Sequence, residues 1–151
     1  MAQSFAQIVS VLMRDPSYKD LRVADLEWLV LPPVMAGQFR LAHSPLRARS
    51  AEAQQGGSIM PVAVALWARV SPEIDKALSE TLEKPVRLTQ GAWTSGDIPW
   101  LVAVAGDRRA TKAFLRQLQE NEFKGKQVKM RLRMPDGKLA ITSLDQHAQA
   151  A

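Results

Sequence analysis

Cationic and small residues follow one strongly apolar stretch of the chain, and their types suit the binding of an anion. The stretch is Trp100–Ala105, and Gly106-Asp107 leads from it into a predicted helix that carries Arg108, Arg109 and Lys112. Free backbone N–H groups at a helix N-terminus attract anions, and a glycine lets a ligand approach the backbone closely. The pattern would suit a pantetheine phosphate or an acidic carrier protein, although a solvated basic helix face is more frequent than a phosphate site.

A second set of candidate residues precedes the same apolar stretch, where two tryptophans bracket a polar turn. Trp93 and Trp100 enclose Ser95-Gly96-Asp97, in which glycine tolerates positive φ and aspartate can accept hydrogen bonds from nearby backbone amides. Tryptophan is seldom fully exposed, so this turn is predicted to lead into a buried strand. A packed turn explains these residues when they are taken alone. Beside the cationic helix, Trp93, Ser95 and Gly96 become candidates for substrate binding.

A basic stripe near the C-terminus allows a further interpretation. Lys129, Arg131 and Arg133 alternate with Met130 and Leu132, which predicts a strand with one basic face. Such a face could contact nucleic-acid phosphates. The stripe carries no aromatic residues on which bases could stack, so we expect the solvent side of a half-covered sheet and no nucleic-acid partner.

Length and composition narrow the class of protein. A chain of 151 residues with 46% hydrophobic and 23% charged residues fits one soluble globular domain, spanning residues 1–151. With no cysteine, disulfides, thiolate catalysis and the usual zinc sites are excluded, and His43 and His147 are poorly placed for metal binding. The net charge of +5 would attract nucleic acid, anionic membranes or acidic proteins, and charge alone does not choose among them. No signal peptide or membrane-length apolar segment is apparent, so we expect a cytoplasmic protein.

Hydrophobic periodicity predicts the elements that position these residues. The expected order is helix, helix, strand, strand, helix, strand, helix, strand, strand, which is a mixed α/β (α+β) domain with helices flanking a central, mixed and mostly antiparallel sheet. Asp15-Pro16 is predicted to end the first helix, and the second to break at Pro32-Pro33, before a mixed turn at residues 34–41 that leads into a strand. Ser71-Pro72 is predicted to begin the third helix. The apolar residues 62–68 and 100–105 predict buried strands, and Pro135-Asp136-Gly137 predicts a hairpin. Residues 44–59 are predicted to form a mobile loop and residues 145–151 a frayed tail.

Several short motifs occur between Phe5 and Leu144 in an order that is specific as a whole. They are Asp15-Pro16-Ser17-Tyr18-Lys19, Ala24-Asp25-Leu26-Glu27-Trp28-Leu29-Val30-Leu31-Pro32-Pro33, Gly37-Gln38-Phe39-Arg40, Pro61-Val62-Ala63, Leu66-Trp67-Ala68, Val70-Ser71, and Trp93-Thr94-Ser95-Gly96-Asp97 followed by Trp100-Leu101-Val102. Together these motifs resemble the RTX toxin-activating lysine acyltransferases, the haemolysin-activating proteins.

The resemblance implies a fold like that of the GNAT acyltransferases, often as a homodimer. It also implies a cytoplasmic enzyme that moves a fatty acyl group from acyl carrier protein to an internal lysine of a protoxin. The donor would be the phosphopantetheine thioester, with no other cofactor and no metal. Amide formation from a thioester needs a base for the lysine ammonium or a nucleophile to carry the acyl group, together with donors for the oxyanion.

Two positions depart from the family pattern where catalysis is concerned. The family's Ser-Pro-x-His motif ends here in Tyr18, and its acidic residue three positions after the second tryptophan is Ala103. The family's Ala-Pro-Phe-Gly is shortened to Ala105-Gly106. A tyrosine is mostly protonated at neutral pH, so it is a poor base but can serve as a general acid. Alanine can neither orient nor stabilise a cationic partner.

Two functional hypotheses follow from the resemblance. In the first, the chain is a working acyltransferase in which Tyr18 protonates the departing thiol and either water or Asp97 accepts the lysine proton. In the second, it is a catalytically inactive relative that keeps the binding surfaces. Such a relative would chaperone a toxin, sequester acyl carrier protein, or pair with an active paralogue.

Overall fold

Five strands form one sheet with helices on both faces in the computed structural model, which describes residues 2–43, 60–83 and 87–146. The elements are α1 (Ala2–Arg14), α2 (Leu26–Leu29), α3 (Leu31–Ala36), β1 (Phe39–His43), β2 (Pro61–Val70), α4 (Pro72–Glu80), β3 (Ile98–Gly106), α5 (Arg108–Glu120), β4 (Lys129–Arg133) and β5 (Leu139–Ser143), with 3-10 turns at Val23–Asp25 and Gln90–Trp93. The predicted α+β class, with a mixed and mostly antiparallel sheet, is confirmed, and the fold is consistent with a GNAT-like acyltransferase.

The sheet has strand order β1-β2-β3-β4-β5, and one neighbouring pair is parallel. β2 and β3 are antiparallel and pair along almost their whole length, from Val70 opposite Ile98 to Ala63 opposite Gly106. β3 and β4 run parallel but pair only at Trp100 with Lys129 and at Leu101 with Met130. The second half of β3 therefore diverges from β4.

The N-terminal helices cover one face of the sheet. The inward side of α1 carries Ile8, Val11 and Leu12, at the spacing that places apolar residues on one side of a helix. These residues pack with Leu66 and Ala103 from the centre of the sheet. The other face is covered by α5, whose Phe114, Leu115 and Leu118 pack around Trp67, and Phe123 meets Trp67 edge to face at 5.1 Å.

Pro32-Pro33 occupies a different place from the one predicted. Instead of ending the second helix, the two prolines lie in the first turn of α3, where the missing N–H groups have no intrahelical partner to lose. α3 then ends at Gly37, which has the left-handed φ of 70°. The segment predicted to be a mixed turn from Val34 therefore begins as helix.

The basic stripe of β4 does not form the solvent side of the sheet that was predicted. The Lys129 ammonium binds the Asp75 carboxylate of α4 at 3.0 Å, and Trp100 Nε1–H donates to the same carboxylate at 2.7 Å. The Arg131 guanidinium donates to the carbonyls of Leu78 and Thr81 near the end of α4. The two cations hold α4 against the sheet, because Asp75 and the exposed carbonyls of a helix C-terminus are their natural partners.

The remaining predictions concern the ends and connections of the chain. The helix start at Ser71-Pro72 is confirmed, since Ser71 Oγ accepts the Ile74 N–H, and Pro135-Asp136-Gly137 joins β4 to β5 as predicted. Residues 144–146 form a helical turn where a frayed tail was predicted to begin at Asp145, while residues 44–59 and 147–151 lie outside the described ranges. Among the described helices, none is long and apolar enough to cross a membrane.

Candidate active site

Tyr18 lies in the turn that follows α1, and Asp15 fixes that turn against β3. Asp15 Oδ1 accepts the Ser17 N–H at 2.8 Å, and Asp15 Oδ2 accepts the Gly106 N–H at 3.0 Å. The same carboxylate therefore organises the loop around Tyr18 and satisfies the backbone at the end of β3. Asp15 belongs to a motif recognised in the sequence, but its contact with Gly106 depends on two segments 91 residues apart.

The Tyr18 phenol is half-buried among apolar side chains and stays protonated at neutral pH. Removal from water raises its pKa above the ordinary value of 10.0, and the nearby Asp15 carboxylate raises it further. A hydrogen bond from the backbone N–H of Val104 acts in the opposite direction. Since that bond is made to the phenol oxygen, the Tyr18 O–H remains chemically able to donate its proton to a substrate.

Ala103 lies beside this phenol in the same apolar cluster. Its side chain is only 3% exposed, and it pairs across the sheet with Leu66. The two family positions are thus brought together, because Tyr18 reaches the backbone of Val104, the next residue in β3. Neither supplies a base: one is a neutral phenol and the other a methyl group.

The end of β3 at Gly106 is open, and a cavity of about 350 Å³ adjoins it. Its walls come from α1, the turn after it, the start of β2 and the start of α5: Val11, Arg14, Pro16, Val62, Gly106 and Asp107. Gly106 has φ of 135°, and a Cβ there would come within 2.6 Å of Ala63 Cα. Glycine is therefore required at this corner both by its φ and by close packing on β2.

The first turn of α5 presents cations beside this cavity. Asp107 caps the helix, with its Oδ1 accepting the Arg109 N–H at 3.0 Å. Arg108, Arg109 and Lys112 are exposed, and Arg109 lines a second cavity, of about 410 Å³, on the α5 face of the sheet. Val62 and Asp107 line both cavities, so the two adjoin at this corner. The arrangement can attract an anionic group to the start of α5.

The turn at Trp93 has a different character, because it is packed and hydrogen-bonded. Trp93 is 1% exposed, and its carbonyl accepts a hydrogen bond from Gln38 Nε2. Ser95 Oγ donates to the Ala92 carbonyl and accepts the Ser71 N–H. A Cβ at Gly96 would collide with the backbone of Val70. The Ser71 bond and the Gly96 packing hold the turn against the end of β2, while the other two bonds link it to Gln38 and close it on itself.

The structure separates the sequence-predicted site residues into two groups at opposite ends of β3. Trp93, Ser95, Gly96 and the exposed Asp97 precede Ile98, whereas the cationic group follows Gly106. A nine-residue strand at about 3.3 Å per residue separates its terminal Cα atoms by about 26 Å. Tyr18 and Ala103 lie toward the Gly106 end. The roles assigned to both groups remain predictions.

Three further residues near the open end were not selected from the sequence. Asp15 was read as the end of a helix, Arg14 was not considered, and His43 was set aside. Arg14 lines the first cavity and donates to the Pro61 carbonyl at 2.6 Å, while His43 lines the second. His43 is distant in sequence from Arg14 and Asp15, and only the fold places all three near the Gly106 corner. Within the described residues, no group of three or more His, Asp or Glu side chains could hold a metal ion.

Comparison with known proteins places the chain in a family. A search of curated proteins found no match. The family model described as HlyC, the RTX toxin acyltransferase family, matches residues 1–142, which is most of the 151-residue chain. That range includes every element of the sheet except the end of β5 and contains both Tyr18 and the corner at Gly106. The chain therefore belongs to the RTX toxin acyltransferase family.

Proposed function

We propose that this chain transfers a fatty acyl group from the phosphopantetheine thioester of acyl carrier protein to a lysine side chain of an RTX-type protein. The observation that carries this proposal is the open corner at Gly106, where a helix N-terminus, a close-packed glycine and two adjoining cavities meet. Family membership supports acyl transfer to a toxin, and the corner supplies a place for the donor.

The charge distribution supports acyl carrier protein as the donor. The N-terminal amides of α5 offer partial positive charge to the phosphate of phosphopantetheine. Arg108, Arg109 and Lys112 extend the positive surface over which an acidic carrier protein would dock. A small donor that lacked the carrier protein would use the phosphate contacts but not this wider surface.

Tyr18 would assist departure of the thiol. As the lysine nitrogen attacks the thioester carbonyl, a C–N bond forms and the C–S bond breaks, leaving a thiolate that needs a proton. The Tyr18 phenol is neutral and accepts the Val104 N–H, so its own proton is directed away from the backbone. Tyr18 therefore serves as a general acid. The raised pKa of its phenol is compatible with this role, because the phenol still carries its proton when the thiolate forms.

A catalytically inactive relative is the second candidate, and one specific observation favours it. Tyr18 and Ala103 meet inside an apolar cluster, so the family's proton-accepting positions hold no group that could deprotonate a lysine. Such a protein would still bind acyl carrier protein, a toxin or an active paralogue through its remaining surfaces.

Intact-mass measurement tests the proposal. The chain is incubated with acyl carrier protein loaded with a fatty acid and with a lysine-containing RTX protein, and a histidine-bearing relative serves as the positive control. We expect the acceptor to gain the mass of one acyl group, and Tyr18→Phe to slow this gain. Complex formation without any gain, while the relative modifies the same acceptor, would establish the inactive candidate instead.

Two further properties belong to the proposal. Reaction with acyl carrier protein places the protein in the cytoplasm, and the family resemblance supports a homodimer, which sedimentation at several concentrations would measure. Activity that appears only in the double variant Tyr18→His with Ala103→Asp would favour the inactive candidate, since it restores the two missing side chains together.

A further inference from the structure

His43 lies at the end of β1 and lines the second cavity, on the α5 face of the sheet. The pairing of β1 with β2 shifts between Ala42 and His43, which marks a bulge or a comparable irregularity. On the β2 side the shift skips Val62, so the extra residue lies in β2. Ala42 and His43 both line the same cavity. His43 is exposed and is the one histidine among the described residues.

His43 and Asp107 flank the beginning of β2. His43 pairs with Pro61, and the Val62 carbonyl accepts the Asp107 N–H at 3.1 Å. Two strand spacings place the backbones of His43 and Asp107 about 10 Å apart, which leaves room for an amine between the two side chains. Among the described residues, Asp107 and Arg109 are the other charged ones that line this cavity of about 410 Å³.

We infer that His43 is the general base that deprotonates the acceptor lysine, with the lysine side chain entering the second cavity. This inference rests on the proposed acyl transfer and supplies the base that Tyr18 and Ala103 lack. Asp107 attracts the incoming ammonium, and it also borders the first cavity, at the corner where the thioester is proposed to bind. Imidazole is suited to this step because it exchanges protons near neutral pH.

The proposed step balances in atoms and charge. One ammonium proton of the lysine moves to the His43 imidazole, and the neutral nitrogen attacks the thioester carbonyl. The C–N bond forms and the C–S bond breaks. Tyr18 gives its proton to the departing sulfur and takes the second nitrogen proton in return, giving amide and thiol, and the His43 imidazolium returns its proton to water.

His43→Gln and His43→Ala test the inference, with His147→Gln as the matched control at the chain's other histidine. We expect kcat of both His43 variants to fall by about 100-fold or more, the usual contribution of a general base. The limb of the pH–rate profile that reports an imidazole should disappear, and added imidazole should restore part of the activity of His43→Ala. KM for the acyl donor and the free energy of unfolding should stay unchanged.

Different results separate this inference from the proposed function. If the wild-type chain acylates the acceptor and His43→Gln does so within twofold with the same pH profile, His43 is not the base and only this inference is overturned. If the wild-type chain transfers no acyl group, the proposed function fails and the inference with it. A further variant, Asp107→Ser, keeps the helix cap but removes the charge, and it should raise KM for the lysine acceptor.

Discussion

The two ends of β3 use glycine and polar side chains for different purposes. At the Trp93 end, Gly96 and Ser95 press the turn onto β2, and a buried tryptophan fills the space beneath. At the Gly106 end, the glycine also packs on β2, but cavities of about 350 and 410 Å³ lie beside it, lined by Arg14 and Arg109 respectively and both by Asp107. We call the Trp93 end closed because Trp93, Ser95 and Gly96 are packed, although a cavity of about 530 Å³ lies beside residues 87–90 that precede them, and we call the Gly106 end open.

This contrast shows that the residues of a distinctive motif can have a packing role, while substrate binding at Trp93, Ser95 and Gly96 remains a prediction. Tryptophan, serine and glycine are equally plausible in a substrate site and in a tight join between strands. The contacts that these residues make in the folded chain distinguish the two roles, and Trp93 contacts the backbone and side chains of its own domain. Variants at the two ends should therefore affect different properties: stability at the closed end and partner binding at the open end.

The largest expected effect is at the closed end, for Trp93→Ala. Removing a fully buried tryptophan should lower the free energy of unfolding by about 3–5 kcal/mol, because contacts are lost and a cavity remains. Urea denaturation followed by circular dichroism measures this change. A loss below about 1 kcal/mol would contradict the closed character of this end.

Gly96→Ala should destabilise the protein by about 1–3 kcal/mol, the usual range for overpacking, since its Cβ would meet the backbone of Val70. Gly91→Ala is the matched control, because nothing lies within 4 Å of a Cβ there. Paired denaturation curves compare the two. Equal stability of both variants would show that the turn can move away from β2.

Charge reversal at the open end should weaken binding and leave folding unchanged. Arg109→Glu is expected to raise the dissociation constant for acyl carrier protein about tenfold, equivalent to about 1.4 kcal/mol, and to reduce its dependence on salt. Titration calorimetry at two salt concentrations measures both quantities. Lys138→Glu, an exposed site in the β4–β5 turn, is the control with the same charge change. Equal weakening by both variants would indicate a diffuse effect of net charge.

The smallest expected effect concerns the titration of Tyr18, the chain's single tyrosine. Burial and the Asp15 carboxylate raise its pKa above 10.0 in the folded state, so tyrosinate absorbance should appear at higher pH in the native than in the denatured protein. The resulting stability is present below the pKa of the unfolded chain and is lost as pH rises through the folded value. Tyr18→Phe should remove this loss. A native midpoint at or below the denatured one would show that the phenol is solvated.

Periodicity and turn chemistry were sufficient to predict much of the fold. β2 and β3 were found because long apolar runs indicate strands covered on both faces, and the β4–β5 hairpin because alternation ends at Pro135-Asp136-Gly137. The role of Lys129 and Arg131 was missed because a pattern of alternating charge does not reveal that α4 covers that face.

The site was less predictable because its geometry depends on contacts between distant segments. The sequence singled out Gly106, Arg109 and Tyr18, but it could not show that Trp93 lies at the far end of the same strand. The place of His43 depends on a change of pairing between two strands. Pro61 lies opposite His43 at that shift, and proline occurs at strand starts and bulges, but the sequence alone does not say which residues pair.

Gln38 links the closed end to the alignment of β1. Its buried side-chain amide donates to the carbonyls of Trp67 and Trp93, and its backbone carbonyl accepts the Trp67 N–H. Among the described strands, β1 is an edge strand with β2 as its one neighbour, and the Arg40–Glu122 ion pair is a second contact that holds it. A slip of two residues would preserve its inward side chains yet carry His43 about 7 Å along the sheet. The Gln38 amide beside Trp93 thereby helps to hold an imidazole in position at the opposite end of β1.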